Sequence, residues 1–314
     1  MAVPPAVQQL LTAIVGPERV TLSAPLAPFT TFRVGGPADC LVEVRDSEEL
    51  AAVVGVCRHT GAPCTMLGGG SNTLIADAGI RGVVVRAHGG RVAACDGGVR
   101  ADAGVTMNAL VRWTIVRGYR GLEAWAGTPG TVGGAIFGNA HFGGRSIGEL
   151  TDTACLLAAD GSRRDVPAGE MDFAYDRSRL QRSGEVLLSA VFRLQPGADP
   201  DALREVARAS LAYRKRTQPL HLPSAGCVFQ NPDPARDRLP EGVPPSAGAL
   251  VDRAGLKGRA LGGARVSPSH ANFIVNEGGA TASEIHQLVT LCRDEVRRTS
   301  GIDLELEVRL LGEW

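Results

Sequence analysis

Two glycine-rich strings carry the first chemical signal: Leu67-Gly68-Gly69-Gly70-Ser71-Asn72-Thr73 and Ala126-Gly127-Thr128-Pro129-Gly130-Thr131-Val132-Gly133-Gly134-Ala135. Glycine has no Cβ, so its backbone N–H can close on an anionic oxygen. Two such loops flanked by apolar runs suit a pyrophosphate gripped by main-chain amides, which points to a phosphate-bearing cofactor. A single Gly-Gly pair is most often a turn or a bulge. Two dense clusters that also carry Ser, Asn and Thr favour a ligand role.

Other chemistries are excluded by what the chain lacks. Its basic residues are nearly all arginine, with Lys215 and Lys257 the lysines. A phosphate loop that ends Gly-Lys needs a lysine directly after glycine; Lys215 follows Arg214 and Lys257 follows Leu256. A Rossmann fingerprint fails at Gly68, because Thr73 stands where the third glycine belongs and no amphipathic helix follows. Seven cysteines (Cys40, Cys57, Cys64, Cys95, Cys155, Cys227 and Cys292) form no C-x-x-C pair, and six histidines are scattered, so no metal site is expected. Most of the cysteines sit in apolar surroundings and read as reduced core filler.

These loops need a scaffold, and 314 residues can bury a large core in two or three domains. A hydrophobic content of 44% and a mean hydropathy near zero describe a soluble globular protein. No apolar run reaches the roughly 20 residues of a membrane span, and the N-terminal residues lack the basic region of a secretory signal, so a cytoplasmic protein is expected. Positive and negative charges cancel, which argues against nucleic acid as the main partner. Nothing in the pattern demands an obligate protein partner.

Periodicity predicts a helix over residues 5–15, a strand over Cys40 to Val44, and a helix from Ser47 to about His59. A strand from Pro63 to Leu67 feeds the first glycine loop, and Gly82 to Arg86 is another. Asp96-Gly97-Gly98 and Asp160-Gly161 are hairpin signals. Helices are expected over Val105 to Gly118, Asp201 to Arg216 and, behind the capping box Thr281-Ala282-Ser283-Glu284, to about Thr299. Further strands are Glu185 to Leu194, Phe273 to Asn276 and Ile302 to Leu311. Gln195 to Pro200 reads as a boundary. The expectation is an α+β protein with a region 1–197 that holds both glycine loops and a smaller α/β domain 198–314.

Several strings, in one order, resemble a known family. They are Thr31-Phe32-Arg33-Val34-Gly35-Gly36-Pro37-Ala38, Leu67 to Leu74, Gly127 to Ala140, Ser224-Ala225-Gly226-Cys227-Val228-Phe229-Gln230-Asn231-Pro232, His270-Ala271-Asn272-Phe273-Ile274-Val275-Asn276, and Leu306-Glu307-Val308-Arg309-Leu310. The chain is similar over nearly its whole length to UDP-N-acetylenolpyruvoylglucosamine reductases, also called UDP-N-acetylmuramate dehydrogenases. It resembles their shorter type II branch, having no room for an extra loop before Ser224.

The resemblance implies a bound FAD in a fold of the vanillyl-alcohol-oxidase (PCMH) type. It implies NADPH as co-substrate and a nucleotide sugar, UDP-N-acetylglucosamine enolpyruvate, reduced to UDP-N-acetylmuramate for peptidoglycan. Hydride goes to the β-carbon of the enolpyruvyl ether, and the α-carbon is then protonated. In the family a serine is the acid; Cys227 stands at that position, and a thiol of reference pKa about 8.5 is the stronger acid. From Leu304 the residues alternate, placing Glu305, Glu307 and Arg309 on one face and Leu304, Leu306 and Val308 on the other. Glu305 reads as solvated, and Glu307 matches the family's catalytic glutamate. The family's Tyr-Arg-x-Ser reads Tyr175-Asp176-Arg177-Ser178 here. Asp176 would repel the substrate carboxylate, so Arg177 is expected to supply the guanidinium, with Arg179 in reserve. Arg214, Gln218 and Asn231 are expected at the UDP-sugar. Gly68, Gly69, Gly70, Ser71, Asn72, Gly127, Thr128, Pro129, Gly130, Gly133 and Gly134 are expected at FAD. The rival expectations are an FAD-dependent oxidase of the same fold and a non-catalytic nucleotide-sugar binder.

Overall fold

A computed structural model describes residues 3–314 of the chain. The chain divides into two compact units: one is built from the residues up to Ala24, Asp39–Gly69 and Arg81–Tyr213, the other from Pro25–Ala38, Gly70–Ile80 and Arg214–Trp314. This division differs from a single cut at residue 197. The division falls inside the helix Pro200–Thr217, between Tyr213 and Arg214, and two segments from the first eighty residues join the second unit. The reason is pairing at long range: Thr73–Ile75 lies parallel to Arg309–Leu311, while Phe32, Val34 and Leu74 are buried in the same core as Phe229, Leu288 and Val308.

The first unit carries two sheets. One has the strand order Val20–Pro25, Pro37–Val44, Ile80–Ala87, Cys64–Leu67. The helix Ser47–Thr60 is capped by Asp46, which accepts from Glu49 N at 2.9 Å, and it stops at Gly61 in the left-handed region. It buries Leu50, Val53, Val54 and Cys57, the spacing of a single helical face. The second sheet is antiparallel, in the order Arg163–Pro167, Thr151–Leu157, Val186–Phe192, Gly98–Asp102, Val92–Cys95. Both hairpins turn where their Asp-Gly pairs stand, with Cys95 opposite Gly98 and Leu157 opposite Arg163. Gly98 is obligatory, since a Cβ there would sit 2.0 Å from the carbonyl oxygen of Phe192.

The second unit sets the helix Ala282–Ser300 on a three-stranded antiparallel sheet of Ala260–Leu261, Ala264–Val266 and Ile274–Asn276. The capping box forms: Glu284 N donates to Thr281 Oγ1 at 3.1 Å and Thr281 N to Glu284 Oε2 at 3.0 Å. Ile285, Leu288, Val289, Cys292 and Val296 face the core. The helices Val132–Phe137 and Ala247–Arg253 and the strand Val20–Pro25 have no counterpart in the periodicity. Of the expected strand over Ile302 to Leu311, regular pairing covers Arg309–Leu311. No helix among the described residues is long and apolar enough to cross a membrane.

Candidate active site

In the first unit the strand Cys64–Leu67 delivers its chain directly into Gly68 and Gly69. A Cβ on Gly68 would lie 2.5 Å from Thr131 Oγ1, and one on Gly69 would lie 2.7 Å from the Cα of Gly130. The two glycine strings, some sixty residues apart in sequence, therefore meet main chain to main chain. No other residue type permits that approach. The second string is held rigidly from behind. Gly127 N donates to Asn108 Oδ1 at 2.9 Å, Met107 N to the carbonyl of Gly130 at 3.0 Å, and Thr128 N to that of Trp125 at 3.0 Å. Gly133 N donates to the Ala103 carbonyl at 2.8 Å, and Gly134 N to Thr131 Oγ1 at 3.3 Å. Gly127, Thr128, Gly133 and Gly134 thus spend their amides on hydrogen bonds within the protein, unlike the expectation that main-chain amides of this string face a pyrophosphate.

The remainder of the first string belongs to the second unit. Gly70 adopts φ +58°, and a Cβ there would meet the Phe29 carbonyl at 2.1 Å. Thr31 N donates to the Gly70 carbonyl at 3.0 Å, which gives the Thr31 to Ala38 string a structural job. Asn72 Oδ1 and Thr73 Oγ1 are buried with no hydrogen-bond partner among the described residues. Within the first unit, glycine main chain packed on glycine main chain at Gly69 and Gly130 is in keeping with a phosphate-bearing dinucleotide such as FAD.

Cys227 and Glu307 lie on adjacent hydrogen-bonded segments of the second unit. Glu307 N donates to the Val228 carbonyl at 2.9 Å, Gln230 N donates to that of Glu305 at 2.9 Å, and Phe229 bridges Leu306. On its other side Cys227 bridges Phe273, and Val228 N donates to the Asn272 carbonyl at 2.8 Å. Asn272, 3% exposed, then closes on Phe229 with both ends of its amide: Oδ1 accepts from Phe229 N at 3.0 Å and Nδ2 donates to the Phe229 carbonyl at 2.8 Å. Leu304 and Val308 are buried, Glu305 is exposed and Glu307 is half-buried, as the alternation requires.

The cysteines divide by burial. Cys40, Cys57 and Cys292 are buried, Cys155 and Cys227 are half-buried, and Cys64 and Cys95 are exposed, so the core-filler expectation holds for three of them. Burial pushes Cys40 up to about 11 and Cys292 up to about 12, which keeps both thiols protonated and inert.

Arg214 is buried near the end of its helix, and loss of water lowers the pKa of its guanidinium. Gln218 N donates to the Arg214 carbonyl at 2.9 Å. Asn231 is exposed, and its Oδ1 accepts from Ala247 N at 3.0 Å at the start of a helix. Arg177 belongs to the first unit, exposed at the end of a two-residue turn whose corner is Asp176 at φ +51°. Asp176 is buried and pairs with His141 Nδ1 at 3.2 Å, and His141 in turn packs on the Tyr175 ring at 4.9 Å. Arg179 is committed elsewhere: its Nε lies 2.9 Å from Glu185, whose side chain is 3% exposed. Sequence reasoning missed His141, Asn108 and the amide of Asn272, because pairs closed across long loops leave no periodic trace.

A family model described as the C-terminal domain of UDP-N-acetylenolpyruvoylglucosamine reductase matches residues 218–311, and one for an FAD binding domain matches residues 38–164. A UDP-N-acetylenolpyruvoylglucosamine reductase of Synechococcus sp. (strain CC9605) is 41% identical over 291 residues, 91% of this chain and 94% of that protein. One from Heliobacterium modesticaldum (strain ATCC 51547 / Ice1) is 40% identical over 293 residues, 92% and 90% of the two chains. The crystal structure of UDP-N-acetylenolpyruvylglucosamine reductase from Thermus caldophilus aligns with a TM-score of 0.75 at 32% identity, covering 93% of this chain and 98% of that one.

Proposed function

The chain belongs to the UDP-N-acetylenolpyruvoylglucosamine reductase family, and from that premise we propose how its own residues divide the work. The protein is an FAD-dependent oxidoreductase that uses NADPH to reduce UDP-N-acetylglucosamine enolpyruvate to UDP-N-acetylmuramate in peptidoglycan precursor synthesis. When bound, FAD would supply the redox chemistry that links NADPH to reduction of the enolpyruvyl β-carbon. Gly68, Gly69, Gly70, Ser71 and Asn72, with Gly127, Thr128, Pro129 and Gly130, would hold its pyrophosphate and ring, and Gly133 and Gly134 would keep the second loop in shape. Substrate and NADPH are charged, water-soluble molecules, so the reaction is assigned to the cytoplasm.

Hydride arrival at the β-carbon leaves negative charge spread over the α-carbon and the carboxylate. Arg177 is the group assigned to that carboxylate, since Arg179 is held by Glu185. Cys227 delivers a proton to the α-carbon from Sγ, which requires the thiol to be protonated when the sugar is bound. Glu307 steers that transfer. Arg214 suits the diphosphate, because an anion relieves a buried guanidinium of its desolvation, and Gln218 and Asn231 complete the sugar site.

One observation supports the assignment above the others: Glu307 N donates at 2.9 Å to the carbonyl of Val228, the residue after Cys227, so acid and carboxylate stand on paired segments. The test separates the two half-reactions under nitrogen. Cys227→Ala should bleach with NADPH and then recolour with the enolpyruvyl sugar about 10²- to 10⁴-fold more slowly, and Cys227→Ser should recover most of that rate. Recolouring of Cys227→Ala at the parental rate removes the thiol from the mechanism.

A further inference from the structure

The backbone around Glu307 is gripped by one residue of the first glycine string. Parallel pairing of Thr73–Ile75 with Arg309–Leu311 ends at the rung in which Arg309 N donates to the Asn72 carbonyl at 3.0 Å. Beyond that rung the main chains no longer pair. Asn72 supplies the next bond with its side chain, Nδ2 donating to the Glu307 carbonyl at 3.1 Å. Glu307 is therefore bracketed: Asn72 holds its carbonyl and, two residues on, the amide of Arg309, while Val228 accepts from its own N–H. An amide side chain has the donor and acceptor geometry of a peptide, so Asn72 extends the ladder where the main chain cannot. Asn72 is also rooted at its N-terminal side, because Gly70 and Ser71 carbonyls accept from Thr31 Oγ1 at 3.3 and 3.4 Å.

We propose that Asn72 is a positioning residue for Glu307, making the loop that would hold the cofactor and the carboxylate that steers protonation one hydrogen-bonded piece. The proposal rests on the reading of Glu307 given under Proposed function. Its consequence is specific. Removing Nδ2 should loosen Glu307 and slow the sugar-reducing half-reaction selectively, whereas a residue that only binds FAD would weaken both halves together.

The test uses the holoenzyme with Asn72→Ala and the isosteric Asn72→Asp, which replaces the donor by an acceptor facing a carbonyl. Stopped-flow absorbance under nitrogen measures bleaching by NADPH and recolouring by the enolpyruvyl sugar; flavin fluorescence measures the FAD dissociation constant. Both variants are also made in a Glu307→Gln background. A lost, partly buried hydrogen bond should slow recolouring about tenfold or more beyond any loss in bleaching. In the Glu307→Gln background the same change should cost less than about threefold, because residues acting through one group are not additive. The proposal is overturned if the two losses multiply, or if FAD affinity and both half-reactions fall in step. Glu307→Gln recolouring at the parental rate would instead sink the reading of Glu307 itself, a result delivered by the single variant, and this proposal with it. If Asn72→Ala does not fold, Asn72→Asp supplies the same comparison.

Discussion

The Gly68, Gly69 and Gly130 contacts of the first unit and the Cys227 and Glu307 segments of the second solve the same problem by opposite means. Each brings two stretches of main chain, distant in sequence, into fixed register without a regular sheet. At Gly68, Gly69 and Gly130 this is done by subtraction, the side chain being removed so that backbone meets backbone. At Cys227 and Glu307 it is done by addition, with the amides of Asn272 and Asn72 standing in for missing ladder bonds. The first arrangement packs main chain against main chain, a contact that only glycine allows. The second fixes the main chain on either side of Cys227 and Glu307, the two residues proposed to protonate the sugar. Subtraction suits binding, and addition suits positioning.

The sharpest way to break this contrast is at Gly69. Gly69→Ala puts a Cβ 2.7 Å from backbone that has no freedom to retreat. FAD affinity should fall about 100-fold or more as several kcal/mol of overlap is forced into the cradle, read by flavin fluorescence on reconstitution. Retention of yellow colour through gel filtration would show that the two strings need not touch. The matching cut in the second unit is Asn272→Ala, which leaves the buried N–H and carbonyl of Phe229 without their partners. That should lower the stability of the holoenzyme by about 3 kcal/mol, measured from the urea midpoint, and slow recolouring; an unchanged midpoint would mean the amide is ornamental. The smallest effect is expected from Glu305→Gln. Glu305 shares a face with Glu307 but is exposed and meets Arg236, so both half-reactions should stay within about twofold of the parent. A large loss there would blur the distinction between the two carboxylates.

The same contrast decides what could be read from residues alone. Glycine's freedom is a property of one position, so Gly68–Gly70 and Gly127–Gly130 announced the cofactor half before any fold was known. The capping box at Thr281 and Glu284 and the turns at Asp96-Gly97 and Asp160-Gly161 were legible for the same local reason. The second unit's inclusion of residues 25–38 and 70–80 was not, because it depends on Thr73 pairing with Arg309 across more than two hundred residues. Asn72 and Asn272 stood inside conspicuous strings, yet an amide that bonds to distant backbone looks like any other asparagine. That Asp176 is a buried turn corner paired with His141 is visible only in the fold.

The central claim is that a glycine cradle holds FAD while a separately braced thiol completes the reduction of the sugar. It is tested most directly by the visible spectrum of the purified protein under nitrogen, followed through one addition of NADPH and one of UDP-N-acetylglucosamine enolpyruvate. The account predicts a yellow protein that bleaches with the first addition and regains its colour with the second. A colourless protein that takes up no FAD on reconstitution, or a bleached one that the sugar leaves colourless, would contradict it.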